Sequence, residues 1–122
     1  MKKLILSFGF ALKGIRYAFT TQQNFRIHTL AALVAVCAGY LLQLSTDEWQ
    51  WVMLCIMLVL VAELLNTAIE ALTDLVSPGY NKLAGHVKDI SAAAVLITAL
   101  FALVTGIIIF VPKLYLLIRH VA

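Results

Sequence analysis

The sequence predicts an all-α integral membrane protein, in which three transmembrane helices follow an N-terminal amphipathic helix at the membrane surface. Hydrophobic residues make up 63% of the 122-residue chain, charged residues make up only 12%, and the mean hydropathy is +1.00. A soluble domain carries roughly 25% charged residues, so this chain has too few polar side chains to cover a water-facing surface. The composition therefore argues against a soluble enzyme, a disordered tail or a disulfide-stapled secreted module.

Residues 2–20 are predicted to form the amphipathic surface helix. Apolar side chains recur there at helical spacing, and Lys2, Lys13 and Arg16 fall broadly on the opposite face. This arrangement is typical of a helix that lies in the lipid headgroup region. A cleaved signal peptide is the alternative, but Lys13 and Arg16 interrupt the apolar stretch and no small-residue cleavage site follows it.

Three apolar stretches are long enough to cross a bilayer, which takes about 17–25 residues, and the first stretch is near the lower limit. The predicted spans are residues 27–44, 49–76 and 89–111. Trp49 and Trp51 lie where an aromatic belt is expected at the membrane interface. Proline cannot continue a helix, so Pro78 is expected to end the second span and Pro112 to follow the end of the third.

The positive charges predict the orientation of these spans. Of nine Lys and Arg residues, five precede the first span and two lie between the second and third spans. The positive-inside rule then places the N-terminus and the second loop in the cytoplasm and the C-terminus outside. Lys113 and Arg119, in the tail, are a mild violation. The net charge of +3 comes from scattered residues without an arginine-rich helix, which argues against nucleic acid as a partner.

Four polar side chains form a narrow stripe on the second predicted span. At about 100° per residue, Asn66, Glu70 and Asp74 lie at roughly −60°, −20° and +20° from Glu63. In a hydrocarbon core about 30 Å thick, Glu63 is expected to lie in the cytoplasmic half and Asp74 near the surface. An ionisable group inside the core costs at least about 2.5 kcal/mol, so the stripe requires compensating partners. Those partners could be interhelical hydrogen bonds or an ion pair with Lys88, or the stripe could be a proton or cation pathway. A third interpretation is a site for Mg²⁺ and a phosphoryl group, because carboxylate oxygens suit that metal.

The loop before the third span ends in Lys88-Asp89, close to the exposed end of the stripe. The lysine could meet a nucleotide phosphate and the aspartate could contact a ligand. Alternatively, Lys88 is a membrane-interface anchor and Asp89 caps the third helix. The sequence contains neither a P-loop nor a dinucleotide-binding glycine motif, so any nucleotide would be held in another way.

The motifs E-L-L-N-T-A-I-E-A-L-T-D at residues 63–74 and L-A-G-H-V-K-D at residues 83–89 closely resemble the prokaryotic diacylglycerol kinase family. That family also includes the undecaprenol kinases of Gram-positive bacteria. The stretches at residues 11–16, 24–28 and 92–97 match it too, and the resemblance extends from about residue 9 to residue 112.

The resemblance implies a homotrimer in the bacterial cytoplasmic (inner) membrane, with active sites shared between chains, that phosphorylates a membrane lipid alcohol with MgATP. It implies that Glu63 is the general base, that Glu70 is a Mg²⁺ ligand, and that Asn66 and Asp74 shape the site. The implied nucleotide contacts are Lys88, Asp89, Gly79, Tyr80, Asn81, Lys3 and Phe10. The implied lipid contacts are Glu63, Arg16, Asn24, Phe25, Arg26, His28 and Ala92.

Gln22 departs from the family pattern, because the family usually has a second metal-binding glutamate at this position. An amide oxygen can bind Mg²⁺ but carries no negative charge, so weaker metal binding is expected. The stretch at residues 24–28 looks more like the undecaprenol branch, and Ala92 stands where the diacylglycerol branch tends to carry serine. Both features lean toward undecaprenol, and diacylglycerol stays open as the lipid. Two other functions stay open at this point: a small proton or cation carrier built around Glu63 and Glu70, and a non-catalytic membrane subunit that retains the kinase fold.

Overall fold

The structure, a computed structural model, describes the backbone of residues 2–121 and the side chains of residues 3–119. The described residues form four α-helices, of which α2, α3 and α4 are long and apolar enough to cross a membrane. This confirms the predicted all-helical fold with three helices able to span a bilayer. The helices are α1 (Lys2–Thr21), α2 (Gln23–Leu41), α3 (Thr46–Val76) and α4 (Lys82–Val121).

Short breaks in the helical backbone separate the first three helices. Gln22 adopts an extended backbone conformation between α1 and α2, so a single residue breaks the helical path. The turn between α2 and α3 contains Gln43, which has a positive φ of 50°. Ser45 then caps α3 reciprocally with Glu48: the serine hydroxyl accepts from the Glu48 backbone, and the glutamate accepts from the Ser45 backbone. This capping box satisfies two backbone donors that the start of a helix would otherwise leave unpaired.

The boundaries of α4 differ from those of the predicted third span. Asn81 Oδ1 accepts hydrogen bonds from the backbone of Leu83 at 2.9 Å and of Ala84 at 3.2 Å, so α4 begins well before Asp89. Asp89 therefore lies inside the helix and does not cap it. Pro112 also lies inside α4 and does not end it. Proline removes one helical hydrogen bond, whereas ending the helix among apolar residues would leave several backbone groups unpaired, each at a higher cost in lipid.

The packing is most extensive between α3 and α4, while α2 packs on α3 and α1 makes few contacts. A small apolar core lies near the turn between α2 and α3, and Trp49 packs there beside Leu44 and Val52. Large apolar side chains elsewhere are exposed, such as Ile97 and Ile108, which are 67% and 68% exposed. Outward-facing apolar surfaces on three such helices are the surfaces that a lipid environment covers.

Candidate functional site

Glu63 is the charged residue most deeply buried among the described side chains, with only 2% of its surface exposed. It lies on the face of α3 that packs inside the bundle. Its Oε1 atom has no hydrogen-bond partner within the described chain. His28 Nε2, on α2, lies 3.3 Å from this oxygen, but its orientation does not make a hydrogen bond. The result is a buried carboxylate oxygen that can still accept a hydrogen bond from a ligand.

A chain of hydrogen bonds joins α4 to the next polar residues of the stripe. Ser91 Oγ donates to Asn66 Oδ1 at 2.6 Å, and Asn66 Nδ2 donates to Glu70 Oε1 at 3.0 Å. Ser91 and Asn66 are 7% and 9% exposed, so water has little access to either bond. These bonds hold the Glu70 carboxylate in place from one side.

An ion pair closes the exposed end of the stripe. Lys88 Nζ, on α4, donates to Asp74 Oδ1, on α3. The side chains are 38% and 65% exposed respectively, so the pair lies at the surface and a ligand can compete for it. Interhelical bonds therefore do compensate part of the stripe, as one sequence-based interpretation expected, while Glu63 Oε1 is left without such a bond.

The exposure of the stripe rises steadily along α3. Glu63 and Asn66 are buried, Glu70 is half-buried and Asp74 is exposed. The stripe therefore extends from the interior of the bundle to its surface. A ligand that reached both Glu63 and Lys88 would lie along this stripe.

Glu70 and Gln22 are the residues expected to bind a metal. Among the side chains of residues 3–119, no three His, Cys, Asp or Glu residues converge on one point. Mg²⁺ keeps several waters and commonly uses one or two carboxylates together with substrate phosphates, so such a cluster is not required. Glu70 fits this pattern, because the hydrogen bond from Asn66 engages one carboxylate oxygen and leaves the other for a metal. Gln22, half-buried between α1 and α2, has no hydrogen bond to Glu70.

The remaining predicted nucleotide residues lie on exposed parts of the chain. Gly79 and Tyr80 belong to the loop between α3 and α4, where Tyr80 is completely exposed. Asn81 uses its side chain to cap α4. Lys3 and Phe10 lie on the exposed α1 helix.

The predicted lipid residues fall into two groups. Arg16, Asn24, Arg26 and Ala92 are exposed, whereas Phe25 is 5% exposed and packs within the protein. His28 is the member of this set that the structure brings to Glu63. It also lines an apolar cavity of about 270 Å³ between α2, α3 and α4, whose other walls include Ala31, Ala35, Val59, Ala102 and Gly106.

Sequence reasoning did not single out Ser91. The residue lies one helical turn after Lys88 in an otherwise apolar stretch, and this spacing places it on the same face of α4. The sequence therefore indicates that Ser91 shares a face of α4 with Lys88. It does not indicate the partner of Ser91 on α3, because that depends on the register between the two helices.

A sequence model described as prokaryotic diacylglycerol kinase matches residues 9–110. A diacylglycerol kinase of Synechocystis sp. is 42% identical over 91% of this chain, which spans only 64% of that relative's length. The undecaprenol kinase of Bacillus subtilis is 38% identical over 93% of each chain. The diacylglycerol kinase of Escherichia coli K12 is 35% identical over 88% of each chain.

Proposed function

Because the chain belongs to the prokaryotic diacylglycerol kinase family, we propose that it transfers the γ-phosphate of ATP to the hydroxyl group of a membrane lipid alcohol. The family relatives are lipid kinases, named for diacylglycerol or for undecaprenol. Undecaprenol is the proposed substrate here, since Ala92 and the stretch at residues 24–28 resemble that branch. Diacylglycerol is the second candidate.

The observation that carries this proposal is the buried Oε1 atom of Glu63, which accepts no hydrogen bond within the described chain although His28 Nε2 lies 3.3 Å away. A lipid hydroxyl that entered from the membrane side would find an acceptor there, within a site that excludes water. In the proposed step the lipid oxygen forms a bond to the γ-phosphorus, and the bond from that phosphorus to the leaving ADP oxygen breaks. Glu63 takes the hydroxyl proton as general base, a role that requires a carboxylate within hydrogen-bond reach of the hydroxyl.

Glu70 is the proposed magnesium ligand, and the Gln22 amide oxygen is a weaker candidate for the same ion. When bound, Mg²⁺ would neutralise negative charge on the phosphates during transfer. Asn66 holds the Glu70 carboxylate through its amide group. Because this hydrogen bond occupies only one oxygen, it supports the proposed role of Glu70 without blocking it.

Lys88 is the proposed principal contact to the nucleotide phosphates. It already pairs with a carboxylate oxygen of Asp74 at a surface position, and a phosphate oxygen presents the same kind of acceptor with more charge. Asp89 and the Gly79–Tyr80 loop are proposed to contact the rest of the nucleotide. The further candidates for this role are Asn81, Lys3 and Phe10.

The proposed setting is the bacterial cytoplasmic membrane, with the N-terminus and the loop between α3 and α4 in the cytoplasm. The α1 helix would lie at the membrane surface, which is consistent with its exposed apolar residues and its few contacts to the other helices. The proposed assembly is a homotrimer with shared sites. The side chains proposed to border the lipid are Arg16, Asn24, Arg26, His28 and Ala92. Phe25, which is buried within the protein, is a weaker candidate.

The test is ATP-dependent incorporation of phosphate into undecaprenol and diacylglycerol, compared in mixed micelles across a magnesium series. Glu63→Gln removes the proposed base while keeping the size of the side chain, so lipid phosphate formation should fall to background. Asp47→Asn is the matched control, because Asp47 is an exposed carboxylate at the opposite end of α3, and its activity should stay at the wild-type level. Activity that survived in Glu63→Gln would overturn the assignment of the base.

The same preparation distinguishes the other functions. A proton or cation carrier would move ions across liposomes without ATP, and its flux would depend on Glu63. A non-catalytic subunit would form no lipid phosphate with either lipid at any magnesium concentration. A kinase is expected to form lipid phosphate and to show no ion flux in the absence of ATP.

A further inference from the structure

We propose that Ser91 is a positioning residue for the metal site, acting through Asn66 on the carboxylate of Glu70. This inference rests on the proposed function, since it concerns the Mg²⁺ that the kinase reaction would use. The side-chain amide of Asn66 makes one hydrogen bond through its oxygen and one through its nitrogen, and the two partners lie on different helices. The oxygen accepts from Ser91 on α4, and the nitrogen donates to Glu70 on α3.

The position of the Ser91 hydroxyl makes it a hydrogen-bond donor to Asn66. Its oxygen lies 2.6 Å from Asn66 Oδ1 and 2.9 Å from the Lys88 carbonyl oxygen, and a hydroxyl has a single hydrogen. The Lys88 carbonyl already has a helical partner four residues later, so it does not require the serine hydrogen. Asn66 Oδ1, buried between the helices, has no such alternative. The Ser91 hydroxyl therefore donates its hydrogen to Asn66 Oδ1, the closer of the two acceptors.

This contact fixes how Asn66 meets Glu70. With its oxygen held by Ser91, the amide turns its NH₂ group toward Glu70 Oε1. The reversed amide would place two acceptor oxygens against each other with no hydrogen between them. One oxygen of the carboxylate is thus engaged by the protein, and the other is left in a defined direction for the metal.

Removing the hydroxyl should therefore loosen Glu70 and weaken metal binding. In Ser91→Ala, Asn66 Oδ1 loses its donor in a site with little access to water, and the amide can leave the orientation that Glu70 requires. We expect the affinity for the metal to fall by about three- to tenfold, the range that the loss of one such hydrogen bond produces. Turnover at saturating magnesium should change much less, because neither Glu63 nor Lys88 is altered.

The experiment measures Mn²⁺ binding to the detergent-solubilised full chain with ADP, by the loss of the free-ion electron paramagnetic resonance signal. A magnesium titration of lipid phosphorylation accompanies it. Ser91→Thr keeps a hydroxyl and should restore binding to within about twofold of wild type. Thr98→Val is the matched control: Thr98 lies on the same helix and donates only to a backbone carbonyl, so its loss should leave Mn²⁺ affinity unchanged.

A double-mutant cycle separates positioning from a general loss of stability. Once Asn66→Ala has removed the intermediary, Ser91→Ala should lower Mn²⁺ affinity no further, because the two residues act on one path. Equal Mn²⁺ affinity in wild type and Ser91→Ala would overturn the proposal, as would an equal loss in Thr98→Val. The binding measurement does not require catalytic turnover. If the wild-type protein bound Mn²⁺ but phosphorylated no lipid, the proposed kinase function would be refuted, while the effect of Ser91→Ala on metal binding could still be measured.

Discussion

Lys113 Nζ lies 3.0 Å from Glu48 Oε2, and this ion pair joins α4 to the first turn of α3 at the end of the bundle remote from Glu63. The same carboxylate oxygen accepts the backbone N–H of Ser45 at 2.7 Å. Glu48 therefore helps to cap α3 and also joins it to α4 through the ion pair. Both charged side chains are more than two-thirds buried, so solvent screens the pair less than it would an exposed one.

We expect Glu48→Ala to lower the thermal unfolding temperature more than Lys113→Ala does. The glutamate variant loses both the hydrogen bond from the Ser45 backbone and the ion pair, while the Ser45 hydroxyl still caps the helix; the lysine variant loses the ion pair alone. Circular dichroism in detergent measures both transitions. In the Glu48→Ala background, Lys113→Ala should have little further effect; a full additional decrease would show that the pair does not link the helices.

Gln22→Glu should lower the magnesium concentration that gives half-maximal lipid phosphorylation. A carboxylate would add a negative charge where the amide offers only a neutral oxygen, and hard cations favour that change. A magnesium titration at saturating ATP measures the effect, with the exposed neighbour Gln23→Glu as the control for charge alone. An unchanged midpoint in Gln22→Glu would remove Gln22 from the metal site.

Gly39→Ala should destabilise the fold through overpacking. A Cβ atom at this position would lie 2.9 Å and 3.1 Å from two ring atoms of Trp49 and 3.3 Å from Leu44. Such crowding costs about 1–3 kcal/mol in a packed core. Gly106→Ala is the matched control, because nothing lies within 4 Å of its added Cβ and alanine favours a helix. Thermal unfolding compares the two, and equal stability in both variants would contradict the close contact.

Lys88→Met should raise the KM for ATP at least tenfold while leaving the KM for lipid nearly unchanged. The lysine is the proposed phosphate contact, and the loss of a charge-assisted hydrogen bond costs more than about 1.4 kcal/mol, the free energy of one decade in affinity. Lys82→Met is the control, since Lys82 is an exposed lysine of the same helix six residues earlier. A KM for ATP that rose equally in both variants would assign the effect to general surface charge.

The sequence predicted the elements that depend on one helix at a time. Three spanning helices followed from their apolar length, and the placement of Glu63 and Asp74 on one face of α3 followed from its period. The increase in exposure between them was predicted from membrane thickness and agrees with their burial.

Contacts between helices were harder to predict. The pairing of Lys88 with Asp74 was one of several alternatives, and the bond from Ser91 to Asn66 was not anticipated, because both depend on the register of α4 against α3. The start of α4 was misplaced for a different reason. Asp89 and Asn81 are both capping residues by type, and only the backbone reveals which one lies at the helix start.

The continuity of α4 through Pro112 has a mechanical consequence. Lys88 and Lys113 are 25 residues apart on this helix, or roughly 38 Å at 1.5 Å per residue. Each forms an ion pair with α3, Lys88 with Asp74 and Lys113 with Glu48. The two antiparallel helices are thus joined by an ion pair near each end of α3. A phosphate that competed for Lys88 would loosen only this end, because the ion pair of Lys113 with Glu48 and the packing between α3 and α4 would remain.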